Sequence, residues 1–208
     1  LRTPLTALKL QNEIYRDEVE AGEFPDQHAV SEMLSLNQRQ IHQLDRLIED
    51  MLDISRIHYG QLQIVPKSLC LSDMIQEICD QQTTEVPIDC EILGSDEDFT
   101  GNWDPVRIQQ VFTNILSNAI KYGKNKPISI TLKRTSDTVE LSVHDQGIGI
   151  SEADQKRIFD RFERAVNSRQ ITGLGLGLFI SHEIVRMHNG RILLESKFGK
   201  GSTFTVQL

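Results

Sequence analysis

Apolar residues at the start of the chain recur at helical spacing. Leu1, Leu5, Leu8, Tyr15 and Val19 form one stripe interrupted by Asn12, in steps of three, four and seven. Pro4 suits a first helical turn or a kink. Gly22 and Pro25 break the pattern. A second helix is expected from about His28 to Tyr59, on the order of 45 Å long. Its seam is Val30, Met33, Leu34, Ile41, Leu44, Leu47, Ile48, Met51, Leu52 and Ile54, with Asn37 and Ser55 as polar intrusions. Two helices joined by a short loop each leave apolar surface in water. A partner hairpin is therefore expected, giving a dimeric four-helix bundle across a two-fold axis.

The pattern changes at Gly60. Residues 61–71 alternate and predict a strand or two. Ser72, followed by Asp73, is the expected cap of a helix reaching about Gln82. Ile88–Leu93 reads as a strand. Asp104-Pro105 is a strong helix start, a carboxylate cap before a proline at the first helical position. Ile128–Leu132 and Val139–Val143 predict paired strands. Ser151-Glu-Ala-Asp154 predicts a capped short helix through Phe162. Gly173–Gly177 leads into a helix stopped by Asn189-Gly190. Arg191–Ser196 and Thr203–Leu208 are the closing strands. The fold class expected is α+β: a helical hairpin over residues 1–59, then a domain over residues 60–208 of mostly antiparallel strands covered by helices.

The 208 residues carry a formal net charge of -8, which argues against nonspecific nucleic-acid binding. No apolar run approaches the roughly 20 residues needed to cross a bilayer. Cys70, Cys79 and Cys90 are an odd count without C-x-x-C spacing and read as reduced packing residues in a cytoplasmic setting.

Candidate chemistry lies in four segments of the second half. Asp145 shares the parity of Val139, Leu141 and Val143, so it should face the covered side, where an ionised carboxylate needs a donor. Gly147 and Gly149 follow it and free the main chain to turn. Asn114 and Asn118 share a helix face, with Lys121 and Tyr122 at its end. Amide oxygens suit Mg2+, an ammonium suits phosphate, and a ring suits a nucleobase; a plain polar helix face would look the same. Gly173-Leu174-Gly175-Leu176-Gly177 opens a helix and lets backbone N–H groups approach an anion, although no Walker or dinucleotide pattern surrounds it. Phe159 and Phe162 sit three apart among Arg157, Arg161 and Arg164. With Lys121, Lys124, Lys126 and Arg169, these cations gather around the proposed pocket of an acidic chain.

In order, NILSNAIKY (Asn114–Tyr122), DQGIGI (Asp145–Ile150), RIFDRF (Arg157–Phe162) and GLGLGL (Gly173–Leu178) resemble the N, G1, F and G2 boxes of sensor histidine kinases. Leu1-Arg-Thr-Pro-Leu-Thr6 resembles the tail of their H box, H-E-L-R-T-P. The resemblance extends to HNGRI and GKGSTF near the end and covers the whole chain. It implies an α/β-sandwich ATP-binding domain of the GHKL type behind a dimerising hairpin.

On that resemblance, ATP and Mg2+ are the expected cofactors. Asn118 would be the metal ligand and Asn114 its neighbour in the metal and phosphate network. Lys121 would meet phosphate, Tyr122 would pack on adenine, and Asp145 would accept from the adenine amino group. Gly147, Gly149 and Ile150 shape that end. Gly173, Leu174, Gly175, Leu176 and Gly177 line the phosphates beneath a lid at about residues 165–172. The expected catalytic set is Asn114, Lys121 and Arg161, with Thr3 where a water-orienting residue of the phosphatase reaction is found. Phe159 and Phe162 would pack where this domain meets the hairpin. Leu174 and Phe179 depart from the usual Ser/Thr and small residues. The phosphate-accepting histidine would lie two residues before Leu1, and none of the six histidines replaces it. The partners implied are a second copy and a response-regulator receiver domain, with no nucleic acid; whether the whole protein is membrane-anchored is left open. Two other readings are an ATP-hydrolysing clamp of the same superfamily and a dimerisation module without kinase activity.

Overall fold

In a computed structural model of the chain, describing residues 2–22, 26–82, 86–163 and 174–208, two helices precede a sheet. The chain divides into units Leu1–Gly60 and Gln61–Leu208. In the first, α1 (Arg2–Glu20) and α2 (Gln27–His58) form a hairpin. The Asp26 carboxylate caps α2 by accepting from the Ala29 N–H at 2.8 Å, and the Tyr15 hydroxyl donates to the Ala29 carbonyl at 3.3 Å. Among the described residues one stripe of α2 remains uncovered: Leu34, Ile41 and Ile48, each a heptad apart, are 58%, 51% and 49% exposed.

The second unit holds β1 (Lys67–Cys70), α3 (Leu71–Asp80), β2 (Ile88–Leu93), a 3-10 turn (Asp96–Phe99) and β3 (Thr100–Trp103). There follow α4 (Pro105–Tyr122), β4 (Ile128–Arg134), β5 (Val139–Asp145), α5 (Glu152–Gln155), α6 (Gly177–Met187), β6 (Arg191–Lys197) and β7 (Gly201–Gln207). β1 and β3 form a small antiparallel pair, and the main sheet has the order β2-β4-β5-β7-β6. Only its β2–β4 pairing is parallel.

Register builds the core in rows across this sheet. Leu132, Leu141, Val206 and Ile192 stand side by side; Ile130, Val143 and Phe204 form the next row, all of them buried. At the sheet end the row turns polar, with Asp145 opposite Ser202 and Ser202 opposite Ser196. The other face is hydrophilic: Ser142 bonds Thr205 at 2.8 Å and His144 bonds Thr203 at 2.9 Å. The buried residues of α4 (Ile108, Val111, Phe112, Ile115, Leu116, Ala119) and of α6 (Ile180, Ile184, Val185) complete the core, each large side chain contributing about 1.5–3 kcal/mol by leaving water.

Three expectations are corrected. The strand expected over 61–71 is only Lys67–Cys70, because Val65 donates its N–H to Asp104 Oδ2 at 2.9 Å and Pro66 has none to give. Ser72 is not a cap: α3 begins at Leu71, which is wholly buried, and the Ser72 hydroxyl donates to Asp96 Oδ1 at 2.8 Å. The helix expected through Phe162 stops at Gln155, whose amide donates to the Ile150 and Ser196 carbonyls, both at 2.9 Å.

Candidate functional site

Asp104 sets the direction of α4. Its Oδ1 accepts from the N–H groups of Val106 and Arg107 at 3.1 and 3.2 Å, and its Oδ2 takes the Val65 N–H. Burial pushes this carboxyl up, and the N–H groups of Val65, Arg107 and Val106 outweigh it, leaving the acid below its ordinary range. Its own N–H donates to His188 Nε2 at 3.0 Å, while His188 Nδ1 lies 2.8 Å from the Ile184 carbonyl. That pairing requires the neutral imidazole with the proton on Nδ1. It joins the start of α4 to the end of α6.

With its apolar side buried, α4 presents Asn114 and Asn118, both half-buried, along another face. The Asn114 amide nitrogen reaches the Gly177 carbonyl and the Ser181 hydroxyl, each at 3.4 Å, so its Oδ1 is the atom available to a cation. Lys121 is exposed and Tyr122 half-buried at the end of the helix.

The Asp145 carboxyl, 5% exposed, sits where the apolar rows end. It accepts from the Gly147 N–H at 2.8 Å. Burial nevertheless raises its affinity for a proton above that of an ordinary aspartate, with Gly147, the neighbouring His144 and the Ser202 N–H acting the other way. The loop after it is held by the chain's own backbone. Ile148 donates to the Tyr122 carbonyl at 3.2 Å, and Ile150 donates to Ser196 Oγ at 2.8 Å. A Cβ on Gly147 would lie 1.9 Å from the Tyr122 oxygen, and one on Gly149 (φ +63°) 2.1 Å from the Lys197 oxygen. These glycines answer to close backbone approach within the protein as well as to room for a ligand. Gly201 belongs with them, since its Cβ would meet the Asp145 carbonyl oxygen at 2.0 Å.

The same holds at the start of α6. Gly175 (φ +71°) accepts from the Phe162 N–H at 3.1 Å, and a Cβ there would lie 2.6 Å from the Glu163 oxygen. Leu176, buried, caps α6 without a side-chain bond; the first N–H groups of a helix have no partner within it and suit an anion.

Two family models match the chain: the His Kinase A phospho-acceptor domain over residues 1–60, and the histidine kinase-, DNA gyrase B- and HSP90-like ATPase over residues 103–208. The chain belongs to the sensor histidine kinase family. Sensor histidine kinase WalK of Bacillus subtilis is 32% identical over all of this chain and 34% of its own length. Sensor histidine kinase MtrB of Mycolicibacterium paratuberculosis is 30% identical over all of this chain and 37% of its length. The chain thus spans about a third of the length of these relatives. Among solved structures, Acinetobacter baumannii histidine kinase AdeS has a TM-score of 0.72 at 23% identity, covering 100% of this chain and 95% of its own. Histidine kinase ThkA, solved in complex with response regulator protein TrrA, has a TM-score of 0.65 at 23% identity, covering 100% and 57%. At these identities the two structures speak to the fold.

Around the polar end of the sheet the chain brings together Asp145, Gly147, Gly149, Ile150 and the carbonyl of Tyr122, and across α4 it joins Asn114 to Gly177. Arg161 stands apart. Its guanidinium lies over the Phe179 ring, 4.8 Å from the centroid, whereas Gly177 and Ser181, on the other side of α6, face Asn114. Phe159 packs inside this unit, against Phe204 and His182 at 6.5 and 5.5 Å between ring centres, and Phe162 is 64% exposed. Gly173 and residues 165–172 lie outside the described residues, and so does the side chain of Thr3, whose backbone belongs to α1. Ser196, Gly201 and His188 were not legible as site or bracing residues: HNGRI holds His188 and GKGSTF holds Gly201, whereas Ser196 lies between the two patterns with no signal of its own.

Proposed function

We propose that this chain is the phosphotransfer core of a two-component system. ATP binds in the second unit, its γ-phosphoryl passes to a histidine nitrogen on the helical hairpin, and from there to an aspartate of a response regulator. The observation that carries the reading is Asp145: a buried carboxyl whose roughly four lone-pair positions exceed what the Gly147 N–H at 2.8 Å and the Ser202 N–H use, set beside a loop pinned to the end of the asparagine helix. It would accept from the exocyclic amino group of adenine, with Gly147, Gly149 and Ile150 shaping the base pocket and Tyr122 covering the ring.

The phosphates would run toward Gly173, Leu174, Gly175, Leu176 and Gly177, where the open end of α6 favours negative charge. Lys121 would meet them as a point charge. Asn114 and Asn118 offer amide oxygens, donors suited to Mg2+, which when bound would neutralise charge on the transferring group. The protein's own part is alignment and electrostatic stabilisation. Residues 1–59 would dimerise through the stripe of Leu34, Ile41 and Ile48, and residues 60–208 would act as the catalytic unit. Thr3 is the candidate for orienting water in a phosphatase reaction.

An ATP-hydrolysing clamp is disfavoured by Asn114. Its amide nitrogen faces Gly177 and Ser181, and an amide cannot accept a proton from attacking water at neutral pH. The deciding experiment restores His-Glu ahead of Leu1 and supplies labelled ATP with Mg2+. Acid-labile, base-stable label on the protein is the expected result. Free phosphate without labelled protein would establish the clamp instead, and no nucleotide binding would leave a dimerisation module.

A further inference from the structure

The stretch ahead of residue 164 lies along one side of α6 with three attachments in descending order. The Phe159 ring meets His182 at 5.5 Å. The Arg161 guanidinium covers Phe179 at 4.8 Å. The Phe162 N–H reaches the Gly175 carbonyl at 3.1 Å. Phe162 takes a left-handed φ of 65° to make that last bond, a conformation a bulky residue adopts only when its surroundings impose it. Gly175 is equally constrained, because the 162–163 backbone occupies the space a Cβ would need.

Phe179 stands where the resemblance leads one to expect a small residue. A small side chain there would give Arg161 no face to lie on. The cation also sits beside the first turn of α6, the end of a helix where positive charge is unfavourable, so the ring's negative face is what retains it. Neither residue faces Asn114, which approaches α6 about half a turn away.

We propose that Phe179 is a positioning residue for the nucleotide site: by holding Arg161 on its ring it seats residues 159–163 on α6 and thereby fixes the Gly175–Gly177 turn that presents backbone N–H groups to phosphate. The effect is preorganisation, exerted through the Phe162–Gly175 bond and not by contact with the ligand. The inference rests on the reading that ATP binds here.

Affinities for ATP and for adenosine are measured on the whole chain and on Phe179→Ala, Arg161→Gln, the double variant and Phe179→Tyr, with thermal unfolding as the control for folding. Each of the first two should weaken ATP binding about three- to tenfold while leaving adenosine binding unchanged, as expected for loss of one such stack. The double variant should be no worse than either single one, and Phe179→Tyr, which keeps the ring face, should bind as the parent does. Unchanged ATP affinity in Arg161→Gln, an exposed substitution that leaves the core intact, overturns the proposal, as does additivity in the double variant. Failure of the parent chain to bind ATP overturns the nucleotide reading itself, and the inference with it.

Discussion

The backbone N–H of Ile148 donates to the carbonyl of Tyr122 at 3.2 Å, tying the loop after Asp145 to the last residue of the asparagine-bearing helix. The contact is possible only because Gly147 has no side chain: its Cβ would sit 1.9 Å from the same Tyr122 oxygen. Backbone carbonyls do not yield as a flexible side chain would, so Gly147→Ala must push loop and helix apart. Loss of about 2 kcal/mol or more is expected, seen as a fall of several degrees in the thermal midpoint of the second unit, together with loss of ATP binding. A variant with the parent's midpoint would show that the close approach is not maintained in solution.

Asp104 gives a pH prediction. Its carboxyl is held below the ordinary aspartate range in the folded chain, since three N–H groups outweigh its burial. A depressed folded value means that the unfolded chain takes up the proton first. The stability it contributes is therefore complete above the ordinary aspartate value of about 3.9 and is lost as pH falls through the folded value. Asp104→Asn keeps a good helix cap but cannot charge. Its unfolding free energy should fall less steeply than the parent's below about pH 4, in paired denaturant titrations. Parallel curves would remove Asp104 from the acid response.

How much of this was open to reading from the sequence divides along one physical line. Local chemistry was legible: Asp104-Pro105 starts α4, Asn189 takes the left-handed turn that ends α6, and the parity of Val139, Leu141 and Val143 placed Asp145 among buried positions. What depends on long-range partners was not. Nothing near Val65 announces that its N–H serves a carboxylate 39 residues away, and so the alternation there suggests a longer strand than the chain forms. Ser72 satisfies every local rule for a cap, yet burial of Leu71 starts the helix earlier and turns the hydroxyl to Asp96. Gly147 and Gly149 announce the turn they permit, while the carbonyls of Tyr122 and Lys197 that require them come from elsewhere in the chain.

His188 is a second brace between α4 and α6. One ring nitrogen serves the Asp104 N–H and the other the Ile184 carbonyl. His188→Phe retains the ring's bulk but leaves a backbone donor and a carbonyl with one partner fewer, at a cost of about 1–3 kcal/mol. His188→Gln, with an amide oxygen and nitrogen, should recover part of it. Chemical denaturation of the three proteins measures this; equal stability of the Phe variant would show that water replaces both bonds without loss.

Asp145 separates stability from function. Burial raises its proton affinity in the folded chain, so the native state holds this proton more tightly than the unfolded one. Stability from this group is then greatest at acid pH and declines as pH rises from the ordinary aspartate value through the raised folded one. Asp145→Asn removes the ionisation while its Oδ1 still accepts from the Gly147 N–H. Above that window the variant should be at least as stable as the parent, and its stability should vary less with pH. Its ATP affinity should move the other way, because the Asn amide offers a weaker, uncharged acceptor to the adenine amino group and a donor where none is wanted. A loss of about ten- to hundredfold is expected from the value of a hydrogen bond to a charged partner. Guanine nucleotides, which carry a carbonyl at that edge, should lose little or gain. Calorimetric titration of both nucleotides against parent and variant decides the matter: if ATP binds the variant as tightly as the parent, Asp145 is a buried structural acid and the base is read elsewhere.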